Sequence, residues 1–459
     1  MTIFWHRRDL RAFDNAGLYE ALKAGGPVQP VFIFDKEILD KLEDENDARV
    51  TFIHQSVSEL NEVYREEGSA IRVYYGKPKE LWPQIIEEFG ATAIYTNRDY
   101  EPYAQDRDLV IKKLIESKGG SWHDFKDHVI FEGHEIEKNS GGPYTVFTPY
   151  MRKWREKLSP SNSPDGGGQL VSPPRGDGRG DIPPALAPYP CEDHYKNLNQ
   201  VSAPKPIPTL KDMGFTKSDI EFPPTSVARG LIRTYDETRN YPAQEGTSRL
   251  GVHFRHGTIS IRQKALAALD LNDTYVNELI WRDFYSNILQ NFPHVVDAPF
   301  RPEYAGIPWT DDEAHFEAWK AGKTGVPIVD AGMRELVATG YMHNRVRMIT
   351  ASYLTKHLLI NWQWGEAWFA RHLLDFELAS NNGGWQWAAG CGTDAQPYFR
   401  IFNADSQQKK FDPKYEYVKR WVPEYGTSEY PEPVVEHKFG RERAIATYKE
   451  ALAKAKGGG

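Results

Sequence analysis

The sequence predicts an α/β domain with a doubly wound parallel sheet, followed by an all-α domain. Three observations support this prediction. The chain has 459 residues, more than one hydrophobic core usually holds. Short apolar runs alternate with helix-like segments up to about residue 130, which is typical of a parallel sheet. After about residue 210, strand-like runs give way to amphipathic helical periodicity.

The first domain is predicted at residues 1–130. Its strand-like runs are Thr2 to Trp5, Val28 to Phe34, Ala70 to Tyr75 and Thr92 to Tyr95. Its helix-like segments include Asn15 to Lys23 and Lys79 to Phe89. Ligands of such sheets bind at the carboxyl ends of the strands. No glycine-rich phosphate loop is evident there, so a ligand site and a purely structural domain both stay open.

Residues 131–209 are predicted to be an interdomain linker, and residues 210–459 a helical domain. The stretch from Ser159 to Pro190 is rich in serine, proline and glycine, and it lacks the apolar surface needed for a core. The amphipathic segments of the helical domain are Ile261 to Leu269, Val276 to Leu289, Ala331 to Thr339, His343 to Leu359, Glu366 to Leu374 and Arg441 to Lys456.

The composition narrows the class of protein. A net charge of −8 argues against nucleic-acid binding through overall charge, although a local basic groove remains compatible with it. Cys191 and Cys391 are too few for a disulfide framework and lack zinc-site spacing. The N-terminus has no apolar signal core, and no long apolar run follows. We expect a soluble intracellular protein, cytoplasmic if bacterial, with no metal or membrane partner.

The segment Gly246-Thr247-Ser248-Arg249-Leu250-Gly251 combines flexible backbone, two hydroxyls and a cation before a helix-like segment. Such a set suits a diphosphate, and an ordinary helix cap is the alternative. The stretch from Glu278 to Tyr285 places Glu278, Trp281 and Arg282 on one helical face. That face suits either recognition or core packing.

Two further segments carry groups suited to a flat ligand. Asn344 and Met348 lie four residues apart on one helical face, which suits a base-binding pocket or a simple polar edge. Trp385 and Trp387 stand among small and amide residues and point to different sides of a helix. Tryptophan stacks on flat partners, and its ring is readily oxidised, so base stacking and electron transfer are both indicated.

Together these motifs resemble the DNA photolyase and cryptochrome family, and most closely the cyclobutane pyrimidine dimer photolyases. The resemblance covers nearly the whole chain and is most specific between about Tyr235 and Asp412. Its main blocks are Trp5 to Arg11, Glu245 to Leu250, Met342 to Met348 and Asn381 to Asn403.

The resemblance implies roles for individual residues. It implies FAD bound by Tyr235, Thr247, Ser248, Arg249, Leu250, Gly251, Arg282, Asp375, Glu377 and Asn381. Glu377 stands where many relatives have aspartate, which changes the reach of its carboxylate. The implied lesion contacts are Glu278, Asn344, Met348 and Trp387, and the implied DNA contacts are Trp281, Arg239, Arg345 and Arg400. The implied electron-transfer series runs from the flavin through Trp385 and Trp362 to Trp309.

The resemblance also implies the overall activity. We expect a monomer that repairs pyrimidine dimers in DNA with light and reduced FAD. Tyr103 and Ala104 replace an Asn-Glu pair of folate-binding relatives, which favours a deazaflavin or another flavin over folate as a second chromophore, with an empty site also open. A signalling cryptochrome is the main alternative. A light-independent flavoenzyme would leave the tryptophan series unexplained.

Overall fold

A computed structural model describes residues 1–158 and 182–457, and in these residues five strands form one sheet. The strands are β1 Thr2–His6, β2 Val28–Asp35, β3 Arg72–Gly76, β4 Ala93–Asn97 and β5 Ser121–Phe125. All pairings are parallel, in the order β3-β2-β1-β4-β5. The chain therefore winds outward in both directions from β1, which places the topological switch point at the carboxyl end of β1.

Helices cover both faces of this sheet and then continue through the rest of the chain. Helices α1 to α6 are Ala16–Lys23, Lys36–Leu39, Ala48–Glu66, Pro78–Phe89, Pro102–Ser117 and Phe147–Leu158. Short 3-10 helices follow at Pro184–Leu186, Cys191–Asn197 and Lys211–Met213. Helices α7 to α11 are Arg229–Arg233, Tyr235–Thr238, Gly251–His256, Ile261–Leu269 and Asp273–Asn291.

The remaining chain is helical. Two 3-10 helices lie at Pro293–Val296 and Pro302–Tyr304, and a π-helix lies at Tyr353–Leu358. Helices α12 to α15 are Glu313–Lys320, Pro327–Thr339, Asn344–Ser352 and Trp362–His372. Helices α16 to α19 are Leu378–Ala389, Ala404–Phe411, Glu416–Trp421 and His437–Gly457. None of the helices in the described residues combines the length and hydropathy needed to span a bilayer.

The chain divides into two units. The first comprises Met1–Ile136, Lys153–Ser226 and Leu250–Leu279, and the second comprises Glu137–Arg152, Val227–Arg249 and Ile280–Gly459. Most of the predicted surface connection from Ser159 to Pro190 lies outside the described residues. The predicted domain boundaries at residues 130 and 209 stay a prediction.

Buried ion pairs hold residues 250–279 within the first unit. Arg262 Nη2 lies 2.9 Å from Asp127 Oδ1 and 3.0 Å from Asp14 Oδ1. Arg11 Nη2 lies 2.7 Å from Asp127 Oδ2. Burial alone would raise the pKa of Asp127, but the two guanidinium groups hold it below the usual value. A buried charge paired on both sides in this way anchors α10 to the α/β layers.

The predicted fold class is confirmed, since a parallel sheet is followed by helices. The strand β5 was not predicted, because Ser-Trp-His-Asp-Phe mixes polar residues with two aromatic ones and so forms no apolar run, and every residue in it is half-buried. As an edge strand it pairs with β4 alone. The predicted helix from His343 to Leu359 is instead α14 followed by the π-helix, a distinction that hydrophobic periodicity does not resolve over so few residues.

Candidate functional site

Helix α16 separates its functional side chains onto different sides, as the sequence predicted. Asn381 and Trp385, four residues apart, are buried, whereas Trp387 is half-buried. A Cβ added to Gly365 would lie 2.1 Å from the Trp385 ring, so only glycine lets this indole rest against α15. Trp385 makes edge-to-face contacts with Phe369 at 4.9 Å and with Trp319 at 6.0 Å between ring centroids.

The two other tryptophans of the predicted electron-transfer series lie in the same unit. Trp362 is buried at the start of α15, one turn before the glycine that supports Trp385. Trp309 is half-buried and meets the ring of Tyr448 edge-on at 5.9 Å. Trp385 and Trp362 are buried and Trp309 is partly exposed, as expected if the series starts at the flavin and ends at Trp309 near solvent. The transfer of electrons through these rings stays a prediction.

The hydroxyl and guanidinium groups predicted to bind phosphate converge on Tyr341. Thr247 Oγ1 lies 2.9 Å from the Tyr341 hydroxyl, and the Arg249 guanidinium lies over the Tyr341 ring at 4.7 Å. Arg249 has φ +51°, in the left-handed region that costs a non-glycine residue energy. Burial raises the pKa of Tyr341, so it remains a neutral hydrogen-bonding group. Sequence reasoning missed Tyr341, which lies 94 residues from Thr247.

The other residues predicted for this loop have distinct surroundings. Tyr235 is buried, and the Arg239 guanidinium lies 5.1 Å from its ring centroid. Ser248 is half-buried. Leu250 is buried and Gly251 begins α9, and both belong to the first unit.

An ion pair joins α14 to the segment before α16. Arg347 Nη2 lies 3.0 Å from Asp375 Oδ2, and Arg347 Nε donates to the Met342 carbonyl at 2.7 Å. The carboxylate of Asp375 raises the pKa of Arg347, against the opposing effect of burial. Asp375 was predicted and Arg347 was not. The signal for Arg347 was present in its own motif, three residues after Asn344.

A second ion pair engages Glu377. Arg282 Nη2 lies 3.0 Å from Glu377 Oε1, and Ser380 Oγ donates to Glu377 Oε2 at 3.2 Å. Although many relatives have aspartate at position 377, the longer glutamate side chain still pairs with Arg282. Whether Glu377 also binds a cofactor stays a prediction.

Asn381 is held by the backbone of α15. Its Nδ2 donates to the Glu366 carbonyl at 3.1 Å, which leaves its Oδ1 to accept elsewhere. Burial raises the pKa of the Glu366 carboxyl to about 7, although a hydrogen bond with the Asn382 side chain opposes the shift. Sequence reasoning missed Glu366 as a titratable group, because only packing buries it.

Helix α14 presents the predicted substrate-discriminating residues. His343 caps the helix, its Nδ1 accepting from Arg345 N at 3.1 Å. Asn344 is exposed, and Met348 is half-buried with its sulfur 3.7 Å from Arg345 Nη1. Arg345 Nη2 also donates to Asn240 Oδ1 at 2.6 Å. Of the predicted pair, Asn344 is therefore accessible at the surface and Met348 only partly so.

The remaining predicted contacts lie on α11 and in the segment after α16. Trp281 is half-buried and stacks on Phe147, a residue that sequence reasoning did not select. Glu278 is half-buried on the part of α11 assigned to the first unit. Arg400 is exposed beside Phe399, whose side chain is 58% exposed. A cation next to an exposed ring suits nucleic acid.

The position tied to the second chromophore is occupied by a hydrogen-bonded tyrosine. The Tyr103 hydroxyl lies 2.6 Å from Asp35 Oδ2 and 2.9 Å from Glu37 Oε2. Burial and these carboxylates raise the pKa of Tyr103. The tyrosine thus engages two carboxylates at the carboxyl end of β2.

The residues of the second unit fit FAD in chemistry. The hydroxyls of Thr247 and Ser248 with the guanidinium of Arg249 suit a diphosphate, and strain at Arg249 is typical of a ligand site. The buried amide of Asn381 and the two ion pairs supply polar groups that a flavin ring requires.

Comparisons with known proteins agree with this chemistry. Residues 275–450 match the family model described as the FAD binding domain of DNA photolyase, and residues 2–166 match the DNA photolyase model. The deoxyribodipyrimidine photo-lyase of Halobacterium salinarum is 37% identical over 98% of this chain and 99% of its own length.

Solved structures give the same result. The class III photolyase of Agrobacterium tumefaciens has a TM-score of 0.82 at 31% identity, covering 98% of this chain and 97% of that one. The Sulfolobus tokodaii photolyase, described with two FAD molecules, has a TM-score of 0.76 at 31% identity, covering 98% and 99%.

Proposed function

This chain belongs to the DNA photolyase family, and we propose that it repairs cyclobutane pyrimidine dimers in DNA in a light-dependent reaction. The activity is that of a deoxyribodipyrimidine photolyase, a carbon-carbon lyase that opens the cyclobutane ring. Its cofactor is FAD, and its substrate is DNA that contains the dimer.

The observation that carries this proposal is the ion pair between Arg347 and Asp375, at 3.0 Å. Arg347 belongs to α14, which presents Asn344 to solvent. Asp375 lies shortly before α16, which carries the buried Asn381. The pair therefore links the helix that carries the proposed base contacts to the segment that leads into the helix carrying the proposed flavin contact, which supports placing the two ligands close together.

The chain's own residues prepare the reaction. Thr247, Ser248 and Arg249 hold the diphosphate, while Asn381 and Arg282 orient the ring system of the cofactor. Glu278, Asn344, Met348 and Trp387 receive the dimer after it leaves the DNA helix. Bound in its reduced form and excited by light, FAD would lend an electron to the dimer, whose two ring C–C bonds then break, and the electron would return to the cofactor, so that repair consumes no reductant. The rings of Trp319 and Phe369 pack against Trp385 and keep water away from the proposed route of the electron.

The tryptophan series serves a separate step, the photoreduction of oxidised FAD to the reduced form that repair needs. In this proposal Trp385 gives an electron first, Trp362 refills Trp385, and Trp309 refills Trp362. The half-buried Trp309 then exchanges its proton and electron with solvent and an external reductant, whereas buried Trp385 has no such exchange.

Local cations bind the DNA despite the net charge of −8. Arg239, Arg345 and Arg400 contact phosphates, and Trp281 packs near the lesion. Phosphate contacts release counterions, so the affinity falls as salt rises. We further propose that the protein acts as a monomer and that a second chromophore, if one binds, is a flavin or deazaflavin rather than folate.

The test is repair of a dimer-containing oligonucleotide by fully reduced protein under blue light, with an identical dark sample. We expect loss of the dimer only in the light. Absence of light-dependent repair by reduced, FAD-loaded protein would overturn the assignment and favour a signalling cryptochrome, which shares the flavin and tryptophans.

A further inference from the structure

A buried carboxylate on α13 connects to the start of the proposed lesion-binding helix. Glu335 Oε2 accepts from the Tyr417 hydroxyl at 2.7 Å and from the His343 backbone N at 3.3 Å. Glu335 is 4% exposed and Tyr417 is fully buried. Neither belongs to the cofactor or substrate residues described above.

The connection continues through His343 into α14. The backbone N of His343 is fixed by Glu335, while its side chain accepts from Arg345 N and so caps the helix. Burial and neighbouring arginines lower the pKa of His343 to about 4, so at neutral pH its Nδ1 keeps the lone pair that capping needs. The next residue is Asn344, so any shift of His343 moves Asn344.

Glu335 also faces the cations of the cofactor region. Arg249 and Arg347 favour its ionised form, as do the hydrogen bonds from Tyr417 and His343, although burial raises the pKa of Glu335 overall. Tyr417 in turn is anchored by its backbone N, which donates to Asp412 Oδ1 at 3.2 Å. The pair is therefore held from two sides in a water-excluded position.

We propose that Glu335 and Tyr417 are positioning residues that fix the N-terminus of α14 and thereby set discrimination between dimer-containing and undamaged DNA. Neither is among the residues assigned to substrate or cofactor, and both act through His343 on Asn344 and Met348. The inference rests on the proposed function.

Helix α13 supplies its own matched control. Asp330 is also buried, accepts from the Tyr430 hydroxyl at 2.6 Å, and accepts from the backbone N of Gly325 at 3.0 Å. Its partners lie at the other end of α13, away from the start of α14. Tyr417→Phe and Tyr430→Phe thus remove the same hydroxyl from the same kind of pair.

The experiment compares the two variants as FAD-loaded proteins, measuring melting temperature and affinity for oligonucleotides with and without a dimer. We expect both variants to have a lower melting temperature than the wild-type protein. We expect only Tyr417→Phe to lose preference for the dimer, by roughly tenfold or more, because small displacements of positioned groups are costly. Glu335→Gln, which keeps an acceptor oxygen, should retain more preference than Glu335→Leu.

Equal preference in Tyr417→Phe and Tyr430→Phe would overturn the inference and leave Glu335 as a structural residue only. Should Tyr417→Phe fail to fold, the comparison of Glu335→Gln with Glu335→Leu decides, and equal preference in those two also refutes it. Failure of the proposed function is distinguishable, because wild-type protein would then show no light-dependent repair.

Discussion

The indole of Trp281 lies parallel to the phenyl ring of Phe147, with ring centroids 3.7 Å apart and planes 4° apart. One face of the indole is therefore occupied by the protein itself. Phe284 and Tyr285 meet the same indole at 5.5 Å and 5.4 Å. In the proposed complex a DNA base therefore meets the remaining face or the edge of Trp281, and Phe147 holds the indole in the orientation that presents them.

Replacing Phe147 by leucine should weaken binding of dimer-containing DNA three- to tenfold. The stacked pair contributes about 0.5–1.5 kcal/mol beyond its buried area, and its loss frees the indole to rotate. Equilibrium titration with a labelled oligonucleotide measures the effect. Phe439→Leu, at a side chain 58% exposed, is the control and should bind normally. Unchanged affinity in Phe147→Leu would show that DNA binding does not depend on the stacking of Phe147 on Trp281.

Replacing Asp375 by asparagine should reduce retention of FAD. The Arg347 charge loses its carboxylate, and a charged hydrogen bond of about 1.5 kcal/mol corresponds to about tenfold weaker binding. The ratio of flavin to protein absorbance after exhaustive dialysis gives the measurement. Glu424→Gln breaks the Arg334 pair, which has similar exposure, and should keep its flavin. Equal flavin loss in both variants would argue against a cofactor role for Asp375.

Glu366 should make stability depend on pH. Its folded pKa is about 7, above its unfolded value, so the folded state binds more protons between about pH 4.5 and 7. Its contribution to stability is therefore present at acid pH and is lost as pH rises through 7. Glu366→Gln removes this loss, which is on the order of 3 kcal/mol for a pKa raised from 4.5 to about 7.

Melting temperatures between pH 5 and 8 test this prediction. The melting temperature of Glu366→Gln, relative to that of the wild type, should increase as pH rises. The control Glu303→Gln, at an exposed position, should show the same pH dependence as the wild type. Parallel curves for wild type and Glu366→Gln would contradict the raised pKa.

Replacing Trp385 by phenylalanine should abolish photoreduction of oxidised FAD while sparing repair by chemically reduced protein. Phenylalanine preserves most of the packing but is far harder to oxidise than tryptophan. Absorbance at the oxidised-flavin band during illumination follows the reaction. Trp319→Phe is the matched control, since Trp319 contacts Trp385 but lies outside the predicted series. Normal photoreduction in Trp385→Phe would remove this residue from the path.

The sequence predicted those features that depend on short-range patterns. The strands β1 to β4 and helix α10 follow from apolar runs and periodicity, and α10 spans the predicted residues Ile261 to Leu269. Strand β5 was missed, because an edge strand that pairs on one side only can be built from a mixed sequence with no apolar run. The opposite placement of Trp385 and Trp387 also followed from sequence, since helical geometry alone separates residues two apart.

Tertiary structure decided which groups meet. Phe147 and Trp281 are 134 residues apart, and the pairs Thr247 with Tyr341 and Glu335 with Tyr417 are 94 and 82 residues apart. Their contacts, and the burial that shifts the pKa of Glu366, depend on long-range packing that no local pattern encodes. The sequence alone therefore determined the family, the helix faces and the chemical groups available. Only the folded chain determined which partners orient those groups, because orientation arises from packing between segments distant in sequence.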